Sequence, residues 1–333
     1  MNYLFFSSII VLLTYILCLS YRKIAVRRGV TANLNFRTLH SEVTPKGGGI
    51  TFPIIFLLSL LTFQYLNFSI STNSLYAAIC ALIFSTFGLW DDYRDVSSGV
   101  KLIIQIIFSV LVLFFLLPLE QLSSDFSFLI LFILLLFIVI WTINSINFMD
   151  GIDGLAASLC LFYFFSTFSM SYLFSPEKPL LESLVLFSIC LGFLLINFSK
   201  KNLFMGDSGS LFLGFVVSFF SIQSIQDQSF SIWYWLIILS YCLTETTLTT
   251  FYRIIYIRKW YGAHRSHAYQ NLARIKNNHW KITLAIFMYH LLWLFPLAYL
   301  SISTSISPMY LVVLAIFPTS IFNIILGPRF SSE

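Results

Sequence analysis

The sequence predicts an all-α protein, a polytopic bundle of helices that crosses a membrane many times. Of its 333 residues, 58% are hydrophobic and only 10% are charged, and the mean hydropathy is +0.87. A typical soluble domain is about 45–50% apolar and about 25% charged, so this chain could not cover a globule with polar surface. Its apolar runs are long and continuous. An outer-membrane barrel needs short alternating strands instead, which leaves helices as the spanning element.

Eleven apolar runs approach the roughly 20 residues that a helix needs to cross a ~30 Å hydrocarbon core. The first run lies ahead of Arg22 and Lys23 rather than after a basic stretch, so we interpret it as a retained helix and not as a signal peptide. The runs leave no room for a soluble domain, and the chain is predicted to be a single integral membrane domain, 1–333. The predicted spans are 3–20, 48–66, 74–90, 101–118, 126–145, 155–173, 180–197, 209–225, 232–252, 282–301 and 308–326.

The basic residues predict which way the spans are oriented. If the connection 21–47 is cytoplasmic, alternation of the spans places every one of the 19 Lys and Arg residues except Lys178 on the cytoplasmic side. The positive-inside rule therefore favours this number of spans, with the N-terminus outside and the C-terminus inside. The net charge of +5 then suits anionic lipid headgroups, and we expect no nucleic-acid partner.

Acidic residues gather where predicted spans meet the cytoplasm. Asp91 and Asp92 end the run 74–90, and adjacent carboxylates at a membrane boundary repel each other unless a cation lies between them. Asn144 and Asn147 share a helix face, and the glycines that follow let Asp150 and Asp153 turn into the same pocket from a loop. These side chains indicate a functional site at the membrane surface.

Two glycine-containing segments indicate phosphate and metal binding. Residues 203–211 read Leu-Phe-Met-Gly-Asp-Ser-Gly-Ser-Leu, which places Asp207 at a helix N-terminus as a carboxylate for a hard metal, with backbone N–H groups beside it for phosphate. Lys46 precedes three glycines at the start of the second span, after the polar run 35–40. Free N–H groups there predict an anion site. The other interpretation of this second segment is a flexible turn.

The most basic loop carries two histidines. His264, Arg265 and His267 lie in His-Arg-Ser-His-Ala-Tyr-Gln, where the histidines would share a face if the segment were helical and Arg265 offers a two-pronged phosphate contact. Phosphate recognition is favoured over half of a zinc site. Glu245, midway along the ninth predicted span, is interpreted as a carboxyl paired with a polar neighbour such as Thr244, Thr246 or Thr247, with a proton or ion relay as the alternative.

Taken in order, these motifs over about 35–270 resemble the polyprenyl-phosphate N-acetylhexosamine-1-phosphate transferase family, glycosyltransferase family 4. The resemblance implies transfer of a sugar 1-phosphate from a UDP-N-acetylhexosamine to undecaprenyl phosphate with release of UMP, using Mg²⁺ or Mn²⁺. It implies a multi-pass protein of the bacterial inner membrane whose active site faces the cytoplasm, and it leaves a homodimer open. A direct displacement is preferred over a two-step route through a phosphorylated aspartate.

The resemblance also implies roles for individual residues. Asp91 and Asp92 match the residues for the lipid-phosphate acceptor and catalysis, and Asp150 matches an essential carboxylate beside the metal. Asn147 and Asp207 match the metal ligands. The remaining assignments are Asp153 as a contact to uridine, Phe204 as an aromatic that stacks on uracil, and Lys46, His264, Arg265 and His267 in sugar and diphosphate recognition.

Departures from the family pattern point to one branch. The peptidoglycan branch has a run of adjacent histidines where this chain has His-Arg-Ser-His, which favours the branch that initiates O-antigen or another cell-envelope polysaccharide. Val43 and Lys46 stand where proline and arginine are common in that branch. We expect the change to be tolerated because Lys46 keeps the positive charge.

Two rival functions stay open at this point. Residues 91–95 read Asp-Asp-Tyr-Arg-Asp, a spacing that holds Mg²⁺ on a prenyl diphosphate, so an intramembrane prenyltransferase is one rival. It would need a second Asp-rich repeat, for which 150–153 is a poor match. A transporter is the other, because of the eleven spans and Glu245, although the sequence shows no internal repeat.

Overall fold

The computed structural model describes residues 3–31, 44–94, 96–117, 126–176, 180–199, 203–257 and 264–330. Within these ranges the chain is helical, and its β pairing is limited to one bridge between Thr31 and Pro45. A 3₁₀ turn, Gly48–Ile50, leads into the second helix. The α-helices are α1 Tyr3–Arg28, α2 Thr51–Tyr65, α3 Thr72–Arg94, α4 Ser98–Leu116, α5 Phe126–Phe148, α6 Leu155–Phe174, α7 Leu181–Asn197, α8 Gly206–Gln226, α9 Ile232–Ile238, α10 Ser240–Tyr256, α11 Ala268–Lys276, α12 His279–Tyr289, α13 Phe295–Ser303 and α14 Pro308–Leu326.

The predicted all-α bundle is confirmed, because each predicted apolar run coincides with helix. Among the described residues, nine helices are long and apolar enough to cross a membrane, and α7 is apolar but shorter, at 17 residues. The run 232–252 is divided at Leu239 into α9 and α10, although Leu239 keeps helical backbone angles and its N–H donates to the carbonyl of Trp235. The run 282–301 contains a five-residue π-helix, His290–Leu294, between α12 and α13. The number of spans and their orientation stay predictions.

Helix α8 lies at the centre of the bundle and places the polar motifs. It is the most buried of the candidate spans and packs against α3 and α5. A Cβ atom on Gly88 of α3 would lie 2.6 Å from the carbonyl oxygen of Asp207, so a glycine is what lets the two helices approach this closely. The hydroxyl of Ser85 donates to the carbonyl of Ser208 across the same contact, at 2.8 Å. The C-terminal end of α3 therefore lies beside the first turn of α8.

Apolar side chains cover the outer helices of the bundle. Helix α5 carries exposed residues such as Ile133, Leu134 and Phe137, although its other face contacts α8. Exposed apolar surface of this extent suits a lipid environment. The polar motifs lie at helix ends instead, where α3, α5 and α8 meet.

Candidate active site

Asp92 caps helix α8 from the end of another helix. One of its carboxylate oxygens accepts the backbone N–H of Asp207 at 3.2 Å, and the other accepts that of Ser208 at 3.3 Å. The first N–H groups of a helix have no partner within it, and the positive end of its dipole attracts an anion. The prediction that these groups are available for phosphate is wrong at Asp207 and Ser208, because the carboxylate of Asp92 accepts both N–H groups.

Gly206 makes this cap sterically possible. Its φ angle is +71°, in the left-handed region that favours glycine, and a Cβ atom there would lie 2.4 Å from an oxygen of Asp92. Any other residue at 206 would therefore be strained and would also push Asp92 away. The glycine before Asp207 thus fixes the position of α8 relative to α3.

Asp207 and Asp91 converge on the ammonium group of Lys101, and Asn147 joins them through Asp207. Lys101 Nζ donates to Asp207 Oδ2 at 3.0 Å and also pairs with Asp91, whose other oxygen accepts a backbone N–H at 2.8 Å. Asn147 Nδ2 donates to Asp207 Oδ1 at 3.1 Å. We call Asp91, Asp92, Asn147 and Asp207, together with Lys101, the carboxylate cluster. Lys101 closes the acidic motif in sequence, ten residues after Asp91, but sequence position alone does not reveal that it pairs with both Asp91 and Asp207.

The donor set of the carboxylate cluster fits a hard divalent cation in its chemistry. Carboxylate and amide oxygens are the ligands that Mg²⁺ prefers, and turning the amide of Asn147 would present its oxygen beside Asp207. Lys101 already supplies positive charge between Asp91 and Asp207, where two carboxylates would otherwise repel each other. In the part of the chain that the structure describes, no three His, Cys, Asp or Glu side chains form a ready-made metal cage. A cation would bind here with rearrangement of Lys101.

A cavity of 520 Å³ opens beside the carboxylate cluster and shares Asn147 with it. The aromatic rings of Trp141 and Phe148 form part of its wall. Its volume lies within the range of small-molecule sites. The polar residues that line it are Ser98, Asn144, Asn147, Asp150, Thr250, Arg253, His264, His267 and Gln270.

Asp150 and Asp153 follow α5 as predicted, but they differ in their surroundings. Asp150 lines the cavity, whereas Asp153 lies outside its lining and pairs with His279 Nδ1 at 3.2 Å. Loss of hydration, reinforced by the negative charges of Asp207, Asp92 and Asp153, raises the pKa of Asp150 well above its usual value. Negative charge is therefore in excess on this side of the cavity.

His264 and His267 both line the cavity, but they do so from a non-helical segment and not from one face of a helix. Residues 264–267 are not helical, and α11 begins only at Ala268. The two rings nevertheless stack with centroids 5.1 Å apart. Burial, together with the charges of His267 and Arg253, lowers the pKa of His264 to about 3, so its ring is neutral at pH 7. Arg265 lies outside the cavity lining, and its carbonyl accepts a hydrogen bond from Arg274 at 3.2 Å.

The three glycines after Lys46 have a structural role that the sequence did not reveal. Gly48 N–H donates to the carbonyl of Phe204 at 3.0 Å, and Gly49 N–H donates to that of Met205 at 2.9 Å. The prediction of free N–H groups for an anion is therefore wrong at these two glycines. The same bonds tie the loop that carries Phe204 to the start of α2. Lys46 is close enough to Asp92 for their charges to interact.

Part of the predicted motifs falls outside the described residues. This applies to the polar run 35–40, to Val43, to Asp95 as the last acid of the Asp-Asp-Tyr-Arg-Asp string, and to the start of the basic loop, 258–263.

Comparison with known proteins gives the family. Residues 74–225 match the model of glycosyl transferase family 4. A phospho-N-acetylmuramoyl-pentapeptide-transferase of Staphylococcus epidermidis is 30% identical over 236 residues, which is 63% of this chain and 70% of the relative. This chain belongs to glycosyltransferase family 4. The predicted family resemblance is confirmed.

Other relatives carry N-acetylglucosamine names. A probable undecaprenyl-phosphate N-acetylglucosaminyl 1-phosphate transferase of Bacillus subtilis is 29% identical over 277 residues, covering 80% of this chain and 76% of the relative. An undecaprenyl-phosphate alpha-N-acetylglucosaminyl 1-phosphate transferase of Salmonella typhi is 29% identical over 238 residues, or 67% of this chain and 63% of the relative. Similarity to both kinds of relative leaves the branch within this transferase family undecided.

The family match and the geometry overlap on the same residues. The matched range 74–225 contains the whole carboxylate cluster, together with Asp150, Asp153 and Phe204. Lys46 and the non-helical segment 264–267, which we call the histidine loop, lie outside it, but the structure brings both next to the matched part of the chain. Arg253 and Gln270 join the cavity lining without having been predicted. Arg253 lies in the last turn of α10 and Gln270 in the first turn of α11, and the sequence does not reveal that these two helix ends meet at the cavity.

Proposed function

We propose that this membrane transferase moves an N-acetylhexosamine 1-phosphate from a UDP-sugar to undecaprenyl phosphate and releases UMP. The observation that carries the proposal is the carboxylate cluster at the helix ends, joined through Asn147 to a cavity of 520 Å³. A polyprenyl tail dissolves in the bilayer while a nucleotide stays in water, so the reaction needs a site at their boundary. The names of the Bacillus subtilis and Salmonella typhi relatives contain undecaprenyl phosphate and an N-acetylglucosaminyl 1-phosphate group, which supports this acceptor and this kind of transferred group.

Electrostatics supports a role for the carboxylate cluster in phosphate chemistry. The acceptor phosphate and the donor diphosphate bring several negative charges together, and these require neutralisation. Mg²⁺, with Mn²⁺ as the alternative, would supply that charge when bound, and Asp207 and Asn147 with Asp91 are the residues that would hold it. Lys101 and Lys46 add fixed positive charge next to the same carboxylates.

We favour direct displacement. An oxygen of the acceptor phosphate forms a bond to the β-phosphorus of the UDP-sugar, while the bond from that phosphorus to the oxygen bridging to the α-phosphate breaks, and UMP leaves with the electron pair. No base is needed to create the nucleophile, since a phosphate monoester has its second pKa near 6. Both oxygens of Asp92 accept hydrogen bonds from α8, and Asp91 is held by Lys101 and by Val96 N–H. These contacts are compatible with direct displacement, in which both carboxylates position groups around the phosphates and neither attacks phosphorus.

The remaining predicted site residues are assigned around the donor. We place the sugar diphosphate against His264 and His267, which line the cavity together with the carboxylate of Asp150. Arg265 is kept in this group because of the family resemblance. The uridine is assigned to Asp153, whose carboxylate is held by His279, and to the half-buried ring of Phe204.

The biological setting follows from the same reasoning. We propose that the full chain, 1–333, is one transferase domain in a bacterial inner membrane with the site on the cytoplasmic side, which agrees with the basic residues around it. We propose further that it initiates O-antigen or another envelope polysaccharide. The non-adjacent histidines 264 and 267 support this branch over the muramoyl-pentapeptide branch.

A donor panel tests the proposal. The purified protein is given Mg²⁺ and undecaprenyl phosphate with UDP-GlcNAc, UDP-GalNAc, their 6-deoxy counterparts or UDP-MurNAc-pentapeptide, and UMP release is measured. We expect release with an N-acetylhexosamine donor, dependence on the acceptor, and loss of activity in Asp207→Asn. Release with the pentapeptide donor alone would assign the other branch. No release with any donor, from protein that unfolds cooperatively, would refute the transferase proposal.

A further inference from the structure

Glu245 is a fully buried carboxylate that the proposed chemistry does not use. It lies on α10 with 0% of its surface exposed. A buried carboxylate is costly unless hydrogen bonds and charge compensate it, and in a membrane bundle such a residue usually has a function. Glu245 is paired with polar neighbours, as expected, but its partners are not Thr244, Thr246 or Thr247. They come from the histidine loop and from the last helix, and Thr249 on α10 itself donates to Oε1 at 3.5 Å.

The carboxylate of Glu245 holds the histidine loop at two points. Its Oε2 atom lies 2.6 Å from Nδ1 of His267, and its Oε1 atom accepts the backbone N–H of Ala268 at 2.8 Å. Ala268 is the first residue of α11, so the second bond satisfies one donor at the start of that helix. The non-helical segment 264–267 is therefore anchored to the membrane-embedded helix α10.

Helix α14 fixes Glu245 from the other side. Asn323 donates to the backbone carbonyl of Glu245 at 3.2 Å and to its Oε1 atom at 3.4 Å, and it also donates to Thr249 at 2.9 Å. Both carboxylate oxygens are therefore engaged, and the side chain is held by groups from three segments of the chain. This arrangement suits a fixed support and not the ion or proton relay considered above.

The second nitrogen of His267 remains for a ligand. The ring stacks between His264 and Tyr269, with centroid distances of 5.1 Å and 5.6 Å, and lines the cavity. Because Nδ1 donates to a carboxylate, the hydrogen bond fixes the ring orientation and leaves Nε2 as its other polar atom. Nε2 makes no hydrogen bond within the described residues.

We propose that Glu245 is a positioning residue for the donor nucleotide. It holds His267 through Nδ1 so that Nε2 contacts the phosphate oxygens of a nucleoside diphosphate in the cavity. A ring that carries a proton on both nitrogens donates from Nε2 to a phosphate oxygen while Nδ1 donates to the carboxylate of Glu245. This inference rests on the proposed function, because it assumes that the cavity takes a UDP-sugar.

A double-mutant cycle tests the proposal. Binding of UDP to the purified full chain is measured by calorimetry for the wild type, Glu245→Gln, His267→Ala and the double variant, and UMP release is measured in parallel. We expect each single variant to weaken UDP binding about tenfold, in line with the loss of a group that orients a ligand-binding histidine. We expect the double variant to bind no more weakly than His267→Ala, because Glu245 acts through that ring.

A matched control separates positioning from general stability. Glu182 on α7 is also a buried glutamate, and its carboxylate accepts a hydrogen bond from Ser74 at 2.7 Å, far along the sequence from the histidine loop. Glu182→Gln should leave UDP binding unchanged. Equal weakening by Glu245→Gln in the presence and absence of His267, or no weakening at all, would overturn the inference. If the four proteins show the expected coupling in UDP binding but the wild type releases no UMP, the proposed reaction is refuted and the positioning role stays supported.

Discussion

Replacing Asp92 by asparagine and by alanine separates its structural from its chemical role. The structure shows its carboxylate oxygens accepting the N–H groups of Asp207 and Ser208 at the start of α8. Both substitutions remove the negative charge, so they change the repulsion with Asp207 equally. They differ in hydrogen bonding, because asparagine keeps one oxygen that can accept from an N–H group of α8, whereas alanine keeps none.

The expected difference follows from the geometry of the cap. Removing an N-cap side chain costs about 0.5–2 kcal/mol, and a buried N–H left without a partner costs about 1–3 kcal/mol. Asp92 is buried, but its two bonds are long, at 3.2 and 3.3 Å, which favours the lower part of these ranges. We expect Asp92→Asn to be more stable than Asp92→Ala by about 1 kcal/mol, or roughly 2–4 °C in Tm.

Tryptophan fluorescence during thermal unfolding in detergent measures the difference, and UMP release is measured on the same samples. Asp227 provides the control, since it lies exposed at the opposite end of α8, and its Asn and Ala variants should unfold within about 0.5 kcal/mol of each other. We also expect Asp92→Asn to retain more activity than Asp92→Ala. Equal Tm values for the two Asp92 variants, with both inactive, would show that Asp92 acts through its charge on the substrate and would refute the capping argument.

Three further outcomes are expected. Asp150→Asn should raise Tm in EDTA by an amount that grows with pH. The pKa of Asp150 is raised in the folded state, so the wild type loses stability as the pH rises above about 4, where the carboxyl ionises in the unfolded chain, and the variant does not. A difference in Tm that does not depend on pH would contradict this. Lys101→Met should lower the free energy of unfolding in EDTA by about 1 kcal/mol, since its two ion pairs are partly exposed, and Mg²⁺ should raise the Tm of the variant more than that of the wild type. Equal Mg²⁺ effects would count against a cation site between Asp91 and Asp207. Gly88→Val should abolish cooperative unfolding or cost several kcal/mol, because its Cβ would meet α8 backbone 2.6 Å away, and a wild-type Tm would disprove that contact.

The helices could be predicted from the sequence because each is encoded by a local apolar run. Helix α6, Leu155–Phe174, differs from its predicted span by a single residue. The interruption at Leu239 was missed because the surrounding residues stay apolar and contain neither Pro nor Gly. Local composition therefore gives the position of a span better than its continuity.

The site residues could be predicted as types, but their partners could not. Asp207 and Asn147 were expected to lie together, and their side chains are hydrogen-bonded at 3.1 Å. The cap from Asp92 depends on how closely α3 and α8 approach, which is set by Gly88 and is not a local property of either helix. The pairing of Glu245 with His267 likewise joins a helix to a non-helical loop 22 residues later.

The fate of the donor's β-phosphate tests the central proposal most directly. UDP-N-acetylhexosamine labelled with ³²P at the β-phosphate is incubated with the full chain, Mg²⁺ and undecaprenyl phosphate, and the lipid and aqueous phases are counted. Sugar 1-phosphate transfer predicts one labelled phosphate in the lipid for every UMP released, no label on the protein, and neither product with Asp207→Asn. Label that stays in aqueous UDP while sugar enters the lipid, or label retained on the protein as a reaction intermediate, would contradict the proposed direct displacement.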